Sequence, residues 1–134
     1  MINVLDTDLF NDCHITGSVN VTLDQIENFA KNLDKNAEIV VYCSGYSCLA
    51  SSQVAQQLKT LGFEHVWAYE AGMADWHKMG QEASGKYPVV GACTKSYLAG
   101  ANEKPAHEDE STVAIIDTQA LREKMIVHGL ISAQ

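Results

Sequence analysis

Arginine is almost missing from this chain of 134 residues, since Arg122 is the only one, and the formal net charge is −8. Nucleic-acid binding needs basic side chains against the phosphates, so this charge balance argues against it. The same acidity argues against binding to an anionic membrane surface. No apolar run reaches the roughly 20 residues that span a bilayer, and the first residues show neither a basic segment nor a signal-like apolar core. We therefore expect a cytoplasmic protein with no nucleic-acid or membrane partner.

The chain has four cysteines, Cys13, Cys43, Cys48 and Cys93. In a chain expected to be cytoplasmic, this number does not indicate a disulfide framework. The four include no Cys-x-x-Cys pair, the spacing typical of a structural zinc site, so we expect neither a metal ion nor another cofactor. Cys13 and Cys93 are assigned no role.

Patterns typical of strands and of helices alternate over residues 1–80, which we expect to form the core. Short runs of β-branched and apolar residues predict strands at residues 2–5, 18–21, 38–42 and 65–69. After Glu38, the run at 39–42 is continuously apolar, which is typical of a parallel strand buried on both faces. Strands that alternate with helices predict the fold class: an α/β protein of three layers, with a parallel sheet and helices on both faces.

Capping residues mark where the helices begin and end. The capping box Thr22-Leu23-Asp24-Gln25 begins the first helix. Ser51 or Ser52 begins the second helix, and Gly62 is expected to end it. The inner face of this helix is expected to carry Val54, Ala55, Leu58 and Leu61. A third helix is expected from Met73 to Met79, ended by Gly80, whereas residues 7–17 are expected to form a connection.

The composition changes after residue 80. Residues 81–111 contain both prolines and a polar run from Gly100 to Ser111, so they are expected to form a linker or mobile loop. Apolar sequence returns at Thr112–Ile116, which predicts a strand. Asp117 or Thr118 then begins a helix that extends to about His128. Residues 112–134 are therefore expected to pack as a strand and helix on the core or on a neighbouring chain.

The strongest functional signal lies around Cys43. The strand that ends at Tyr42 delivers Cys43 to a loop of small residues, and a helix begins near Ser51. Backbone N–H groups and the helix dipole at such a place favour a thiolate and a bound anion. Cys43 is therefore a candidate nucleophile, although a buried, inert cysteine would show the same pattern. Glu70 ends the next strand, at the edge of the sheet where ligands of α/β proteins bind.

Four segments match, in order and spacing, the pattern of one protein family. They are Val4-Leu5-Asp6; Phe10 followed by Cys13-His14-Ile15-Thr16-Gly17-Ser18-Val19-Asn20-Val21; Ile39–Cys43; and Leu61-Gly62-Phe63 followed by Tyr69-Glu70-Ala71-Gly72-Met73-Ala74-Asp75-Trp76. Together they resemble the rhodanese-like family of single-domain sulfurtransferases over residues 2–80.

The resemblance implies a rhodanese-like fold and a sulfurtransferase in which Cys43 carries sulfane sulfur as a persulfide and passes it to a thiol acceptor. The implied donor is a small sulfur compound or a persulfide-bearing protein, and the chain would act as a monomer or a homodimer. The loop residues implied to bind the transferred group are Ser44, Gly45, Tyr46, Ser47, Leu49 and Ala50. Asp6, His14 and Glu70 are implied to support the site.

The loop departs from the family pattern in its charge. The family usually has arginine near the start and at the end of the loop, where this chain has Ser44 and either Cys48 or Ala50. Charge-assisted hydrogen bonds are about twice as strong as neutral ones, so we expect weak activity with the dianion thiosulfate. A neutral donor or a protein persulfide fits better. A phosphatase of related fold would also need the missing arginine.

Cys48 is a second departure, and its role stays open. It is a possible resolving thiol that attacks a persulfide on Cys43, a partner of Cys43 in a thiol–disulfide redox protein, or a residue that only fills space. A non-catalytic rhodanese-like module that binds a partner is a further alternative. Finally, the family has a strand and helix before the strand that ends at Asp6, and we expect this chain to begin after them. Residues 113–125 resemble that opening, so we expect residues 112–130 to supply it to their own core or to a neighbouring chain. An independent tail helix is the alternative.

Overall fold

Five short strands form one parallel sheet in the computed structural model, which describes residues 1–45, 48, 50–83, 86–96, 98 and 114–131. In chain order, the strands are β1 (Ile2–Asn3), β2 (His14–Ile15), β3 (Val19–Asn20), β4 (Ile39–Tyr42), β5 (Val66–Tyr69), β6 (Val89–Val90) and β7 (Ala114–Ile115). The parallel sheet has the order β3-β1-β4-β5-β7. β2 and β6 pair separately and antiparallel.

The helices are α1 (Thr7–Asp12), α2 (Ile26–Lys31), α3 (Ala50–Thr60), α4 (Gly72–Glu82) and α5 (Thr118–Val127). The predicted capping box is present, and a short 3-10 turn at Leu23–Gln25 precedes α2. The predicted α/β fold class, a mostly parallel sheet with helices, is confirmed. Among the helices of the described residues, none has the length and apolar character needed to span a bilayer.

Strand β4 divides the core in two because its successive side chains point to opposite faces of the sheet. Ile39, Val41 and Cys43 belong to one buried cluster, which includes Ile26 of α2 and Leu58 of α3. The alternate residues of β4 belong to a second cluster with side chains of α4 and α5. All four residues of β4 are buried, as expected for a central parallel strand.

Some local predictions are wrong. Residues 7–17 contain α1 and β2 instead of an irregular connection. Helix α3 begins at Ala50, so Ser51 lies inside its first turn, and the predicted inward residue Leu61 is 40% exposed. Helix α4 continues past Gly80 to Glu82. Gly80 serves close packing, since a Cβ there would come within 2.9 Å of the Tyr87 carbonyl oxygen.

The first part of the predicted linker packs on the core, so the linker prediction is wrong there. β6 pairs with β2, and Cys93 forms a disulfide with Cys13. The carboxylate of Asp12 accepts hydrogen bonds from the Thr94 backbone N–H at 2.9 Å and from the Thr94 hydroxyl at 2.7 Å. The expectations that the cysteines form no disulfide framework and that Cys13 and Cys93 have no role are therefore wrong. Residues 99–111 lie outside the described residues.

The C-terminal strand and helix lie on the sheet of their own chain. β7 pairs in parallel with β5, with Ala114 opposite Trp67 and Ile115 opposite Ala68. Asp117 caps α5 by accepting a hydrogen bond from the Ala120 N–H at 2.7 Å. Leu121 and Met125 of α5 are buried in the second cluster, 1% and 2% exposed. Residues 112 and 113 of the predicted strand lie outside the part of the chain that the structure describes.

Candidate functional site

Two chemically active side chains follow the paired ends of neighbouring central strands. Tyr42, the last residue of β4, lies opposite Tyr69, the last residue of β5. Cys43 and Glu70 come next in the chain, so both stand at the carboxyl edge of the sheet. Both are buried, Cys43 at 4% and Glu70 at 6% exposure. In open α/β sheets this edge is where ligands bind.

The start of the Cys43 loop is held by the first turn of α4. The Met73 N–H donates to the Cys43 carbonyl oxygen at 3.0 Å, and the Ala74 N–H donates to the Ser44 carbonyl oxygen at 2.9 Å. Gly72 makes this approach possible, because a Cβ there would lie 2.7 Å from both the Cys43 oxygen and the Gly45 nitrogen. The backbone of the candidate nucleophile is therefore fixed at the helix N-terminus.

Cys48 is bonded to Cys43 and contacts the start of the loop. The Cys48 N–H donates to the Gly45 carbonyl oxygen at 3.0 Å. The two cysteines form a disulfide with their Cα atoms 6.3 Å apart, within the usual range. The Ser44 hydroxyl lies 4.0 Å from the Cys43 sulfur. The other predicted loop residues Tyr46, Ser47 and Leu49 lie outside the described residues, whereas Ala50 is the first residue of α3.

No charged side chain belongs to the loop between Cys43 and Ala50. The one arginine of the sequence, Arg122, lies on α5, where its Nε donates to the Lys86 carbonyl oxygen at 2.8 Å. Its guanidinium also lies 5.6 Å from the centre of the Tyr87 ring. The loop itself can therefore offer an anion only uncharged groups such as backbone N–H, and the positive end of a helix would add to them.

The predicted supporting residues occupy different environments. Asp6 follows β1 and is exposed, and its side chain makes no capping hydrogen bond to α1. His14 is half-buried in β2 and stacks on the Phe10 ring at 3.8 Å. Its Nδ1 lies 2.8 Å from the Phe10 carbonyl oxygen, which only accepts, so Nδ1–H donates. His14 thus makes a structural hydrogen bond, and Glu70 alone of these three shares the strand-end position of Cys43.

A buried hydroxyl network behind β4 was not predicted. The Tyr42 hydroxyl accepts from the Ile15 N–H at 3.0 Å and lies 2.8 Å from the Ser18 hydroxyl, which itself donates to the Ile15 carbonyl oxygen at 2.7 Å. Tyr42 therefore donates to Ser18. Burial raises the pKa of Tyr42, so the phenol stays protonated and ties β4 to β2. No sequence pattern revealed this network, because its members lie far apart in the chain.

The chain is similar to one protein family, to curated relatives and to solved structures. Residues 1–79 match the profile of the family described as Rhodanese-like domain. Thiosulfate sulfurtransferase GlpE of Shewanella oneidensis is 30% identical over 78 residues, which cover 58% of this chain and 75% of GlpE. YrkF of Bacillus subtilis, a proposed sulfur carrier protein, is 33% identical over 78 residues, covering 56% of this chain and 41% of YrkF. The crystal structure of Alr3790 from Anabaena superposes with a TM-score of 0.57 at 30% identity, covering 69% of this chain and 77% of that one.

Proposed function

The chain belongs to the rhodanese-like domain family, and we propose that it is a sulfurtransferase that carries sulfane sulfur as a persulfide on Cys43 and passes it to a thiol acceptor. One observation carries the proposal: Cys43 directly follows the central strand β4, and the backbone of Cys43 and Ser44 is bound by the first turn of α4. This edge of the sheet is the usual place for a ligand. The names of GlpE and YrkF support the same class of reaction.

The proposed chemistry consists of two displacements. The Cys43 thiolate attacks the sulfane sulfur of the donor, so a bond forms between Cys43 Sγ and that sulfur while the S–S bond of the donor breaks. An acceptor thiolate then attacks the carried sulfur, and Cys43 leaves as a thiolate. Residues of the Ser44–Ala50 loop other than Cys48, whose N–H donates to Gly45, would supply backbone N–H groups for the charge that develops on the transferred sulfur.

The preferred donor follows from the charge of the loop. Thiosulfate carries two negative charges, and the loop has no cation to pair with them. Charged hydrogen bonds are about twice as strong as neutral ones, so we propose weak turnover with thiosulfate. A neutral donor, an organic persulfide or a persulfide presented by another protein loses less by the absence of arginine.

Intact mass with peptide mapping tests the proposal. The reduced protein is treated in separate samples with thiosulfate and with glutathione persulfide. In wild type quenched at once and in Cys48→Ser, we expect one added sulfur atom on Cys43, removable by dithiothreitol and present at higher occupancy after the persulfide. Cys43→Ser should take up no sulfur, whereas Cys93→Ser, which removes a thiol distant in the sequence, should load normally. No uptake from either donor, with Cys43 inert to an alkylating reagent, would instead favour a binding module.

A thiol–disulfide redox protein is the second candidate, favoured by the Cys43–Cys48 disulfide. Such a protein would exchange electrons between this pair and another dithiol without carrying sulfur. Equilibration in glutathione buffers, read by alkylation and mass, measures the potential of the pair. A reversible potential in the physiological range together with no sulfur uptake would favour this candidate over the carrier.

A further inference from the structure

We propose that Cys48 gives this site a second activity: it releases the sulfur carried on Cys43 as sulfide and leaves a Cys43–Cys48 disulfide. The inference rests on the proposed function, because it begins from a persulfide on Cys43. Its basis is the bond that the structure contains between these two sulfurs. The loop backbone thus brings Cys48 Sγ onto Cys43 Sγ, which is the atom that a resolving thiol has to attack.

A backbone hydrogen bond holds each of the two cysteines in place. The Cys43 carbonyl oxygen accepts from the Met73 N–H at 3.0 Å, and the Cys48 N–H donates to the Gly45 carbonyl oxygen at 3.0 Å. The bonded pair is therefore a conformation that the surrounding fold supports. A nucleophile held in this way has a high effective concentration, well above the millimolar thiols that compete with it from solution.

The position of Cys48 also favours its reactive form. Cys48 stands two residues before the first residue of α3, a helix of 11 residues with no acidic side chain in its first turn. The positive end of the helix dipole favours a thiolate at this position. Cys43 is 4% exposed, whereas Cys48 is half-buried. The carrier thiol is thus shielded and the attacking thiol is more open to solvent.

The proposed step is a displacement at the inner sulfur of the persulfide. The Cys48 thiolate attacks Cys43 Sγ in the protonated persulfide, Cys43–S–SH. A bond forms between the two cysteine sulfurs, the bond from Cys43 Sγ to the carried sulfur breaks, and the carried sulfur leaves as HS⁻ with its own proton. The carried sulfur is reduced by two electrons, and the two cysteine sulfurs together are oxidised by two.

A second reactant has to restore the thiols. A small or protein dithiol, D(SH)₂, reduces the Cys43–Cys48 disulfide by exchange and leaves as its own disulfide. The net reaction is then RSSH + D(SH)₂ → RSH + H₂S + D(S–S), where RSSH is the persulfide donor. The substrate class is thus an organic or protein persulfide together with a dithiol, with sulfide as the product.

Sulfide release in the absence of any thiol tests the inference. Reduced wild type and Cys48→Ser are loaded with glutathione persulfide and passed through a desalting column, and free sulfide is then measured over time. Wild type should release one sulfide per carried sulfur and gain a disulfide that maps to Cys43 and Cys48. Cys48→Ser should keep its sulfur on Cys43 and release sulfide at least ~10-fold more slowly.

Cys93→Ser is the matched control, because it removes one thiol but keeps both loop cysteines. It should release sulfide like wild type, which excludes Cys13 and Cys93 as the source of electrons. If wild type loads but keeps its sulfur, the inference is overturned while the proposed carrier stands. The same holds if sulfide forms but the disulfide does not join Cys43 to Cys48. If neither wild type quenched at once nor Cys48→Ser takes up sulfur from the persulfide, the proposed function and the inference fail together.

Discussion

At the scale of single residues, Gly72 controls the geometry of the Cys43 loop. Its φ is +68°, in the left-handed region that side chains with a Cβ rarely adopt, and it lies in the first turn of α4. A Cβ at this position would also lie 2.7 Å from the Cys43 carbonyl oxygen. Any substitution therefore adds a clash with the loop to the ordinary cost of the backbone conformation.

Gly72→Ala should lower both stability and sulfur loading. The left-handed conformation alone costs an alanine about 1 kcal/mol, and the contact with Cys43 forces the loop away from α4. Gly129→Ala is the matched control, since Gly129 has a φ of +74° and nothing within 4 Å of the position of a Cβ. Thermal melting and persulfide loading should separate the two variants, with a loss of loading in Gly72→Ala alone. Equal loading in both would show that Gly72 does not position the loop.

The cysteines illustrate what can be interpreted from a single residue. Cys43 could be singled out from sequence because a buried strand and a helix start flank it within a few residues. The pairing of Cys13 with Cys93 could not, because 80 positions separate them in the chain. Nothing near either residue indicates the antiparallel contact of β2 with β6 that brings them together.

At the scale of elements, α5 is attached to the sheet by polar contacts at both ends. Near its start, the Thr118 hydroxyl lies 2.6 Å from the Tyr69 hydroxyl and donates to the Asp75 carboxylate. Near its end, Glu38 lies 3.1 Å from Lys124 Nζ and 2.6 Å from His128 Nε2. These contacts join α5 to β5, to α4 and to the residue before β4.

The ion pair predicts a dependence of stability on pH. The hydrogen bond from Lys124 holds the pKa of Glu38 below its ordinary value, with the charges of Lys124 and His128 acting in the same direction. A lowered carboxylate pKa stabilises the fold above the unfolded-state pKa, and this contribution is lost as the pH falls through the folded-state pKa. The pair is partly exposed, so the effect is small and decreases with salt.

Glu38→Gln should therefore lower the Tm slightly at pH 7, and the difference from wild type should vanish as the pH falls below the ordinary glutamate value of 4.5. Glu123→Gln is the control, because it removes the same charge from an exposed position on α5. Melting curves from pH 7 to pH 3 measure both. A Tm difference for Glu38→Gln that persists at pH 3 would contradict the linkage to this carboxylate.

At the scale of the whole molecule, the segment after α4 connects parts of the fold that are distant in the sequence. β6 pairs with β2, and the Trp76 indole N–H donates to the Pro88 carbonyl oxygen at 3.1 Å. Pro88 accepts a second hydrogen bond from the Thr16 N–H at 3.2 Å. The Cys13–Cys93 disulfide then joins this segment covalently to the residue after α1.

Cys93→Ser should destabilise the protein without changing its chemistry. A disulfide across a separation of 80 residues lowers the entropy of the unfolded chain. In the loop-entropy account this raises the free energy of unfolding by about 4 kcal/mol. We expect a clearly lower Tm under oxidising conditions and unchanged sulfur loading on Cys43. With excess dithiothreitol, wild type and Cys93→Ser should melt at the same temperature. An unchanged Tm in the oxidised variant would mean that this disulfide does not stabilise the fold.

By itself, the sequence determined the features that depend on near neighbours: the apolar run of β4, the capping box before α2, the glycine that ends α3, and a cysteine delivered to a small-residue loop. Their physical causes act over a few residues, through side-chain periodicity and local hydrogen bonds. Tertiary structure alone decided that α4 passes Gly80 to pack on Tyr87, that β6 covers β2, and which cysteines pair. Those outcomes depend on contacts between segments that are distant in the sequence, and a local sequence pattern does not specify which distant segment it will contact.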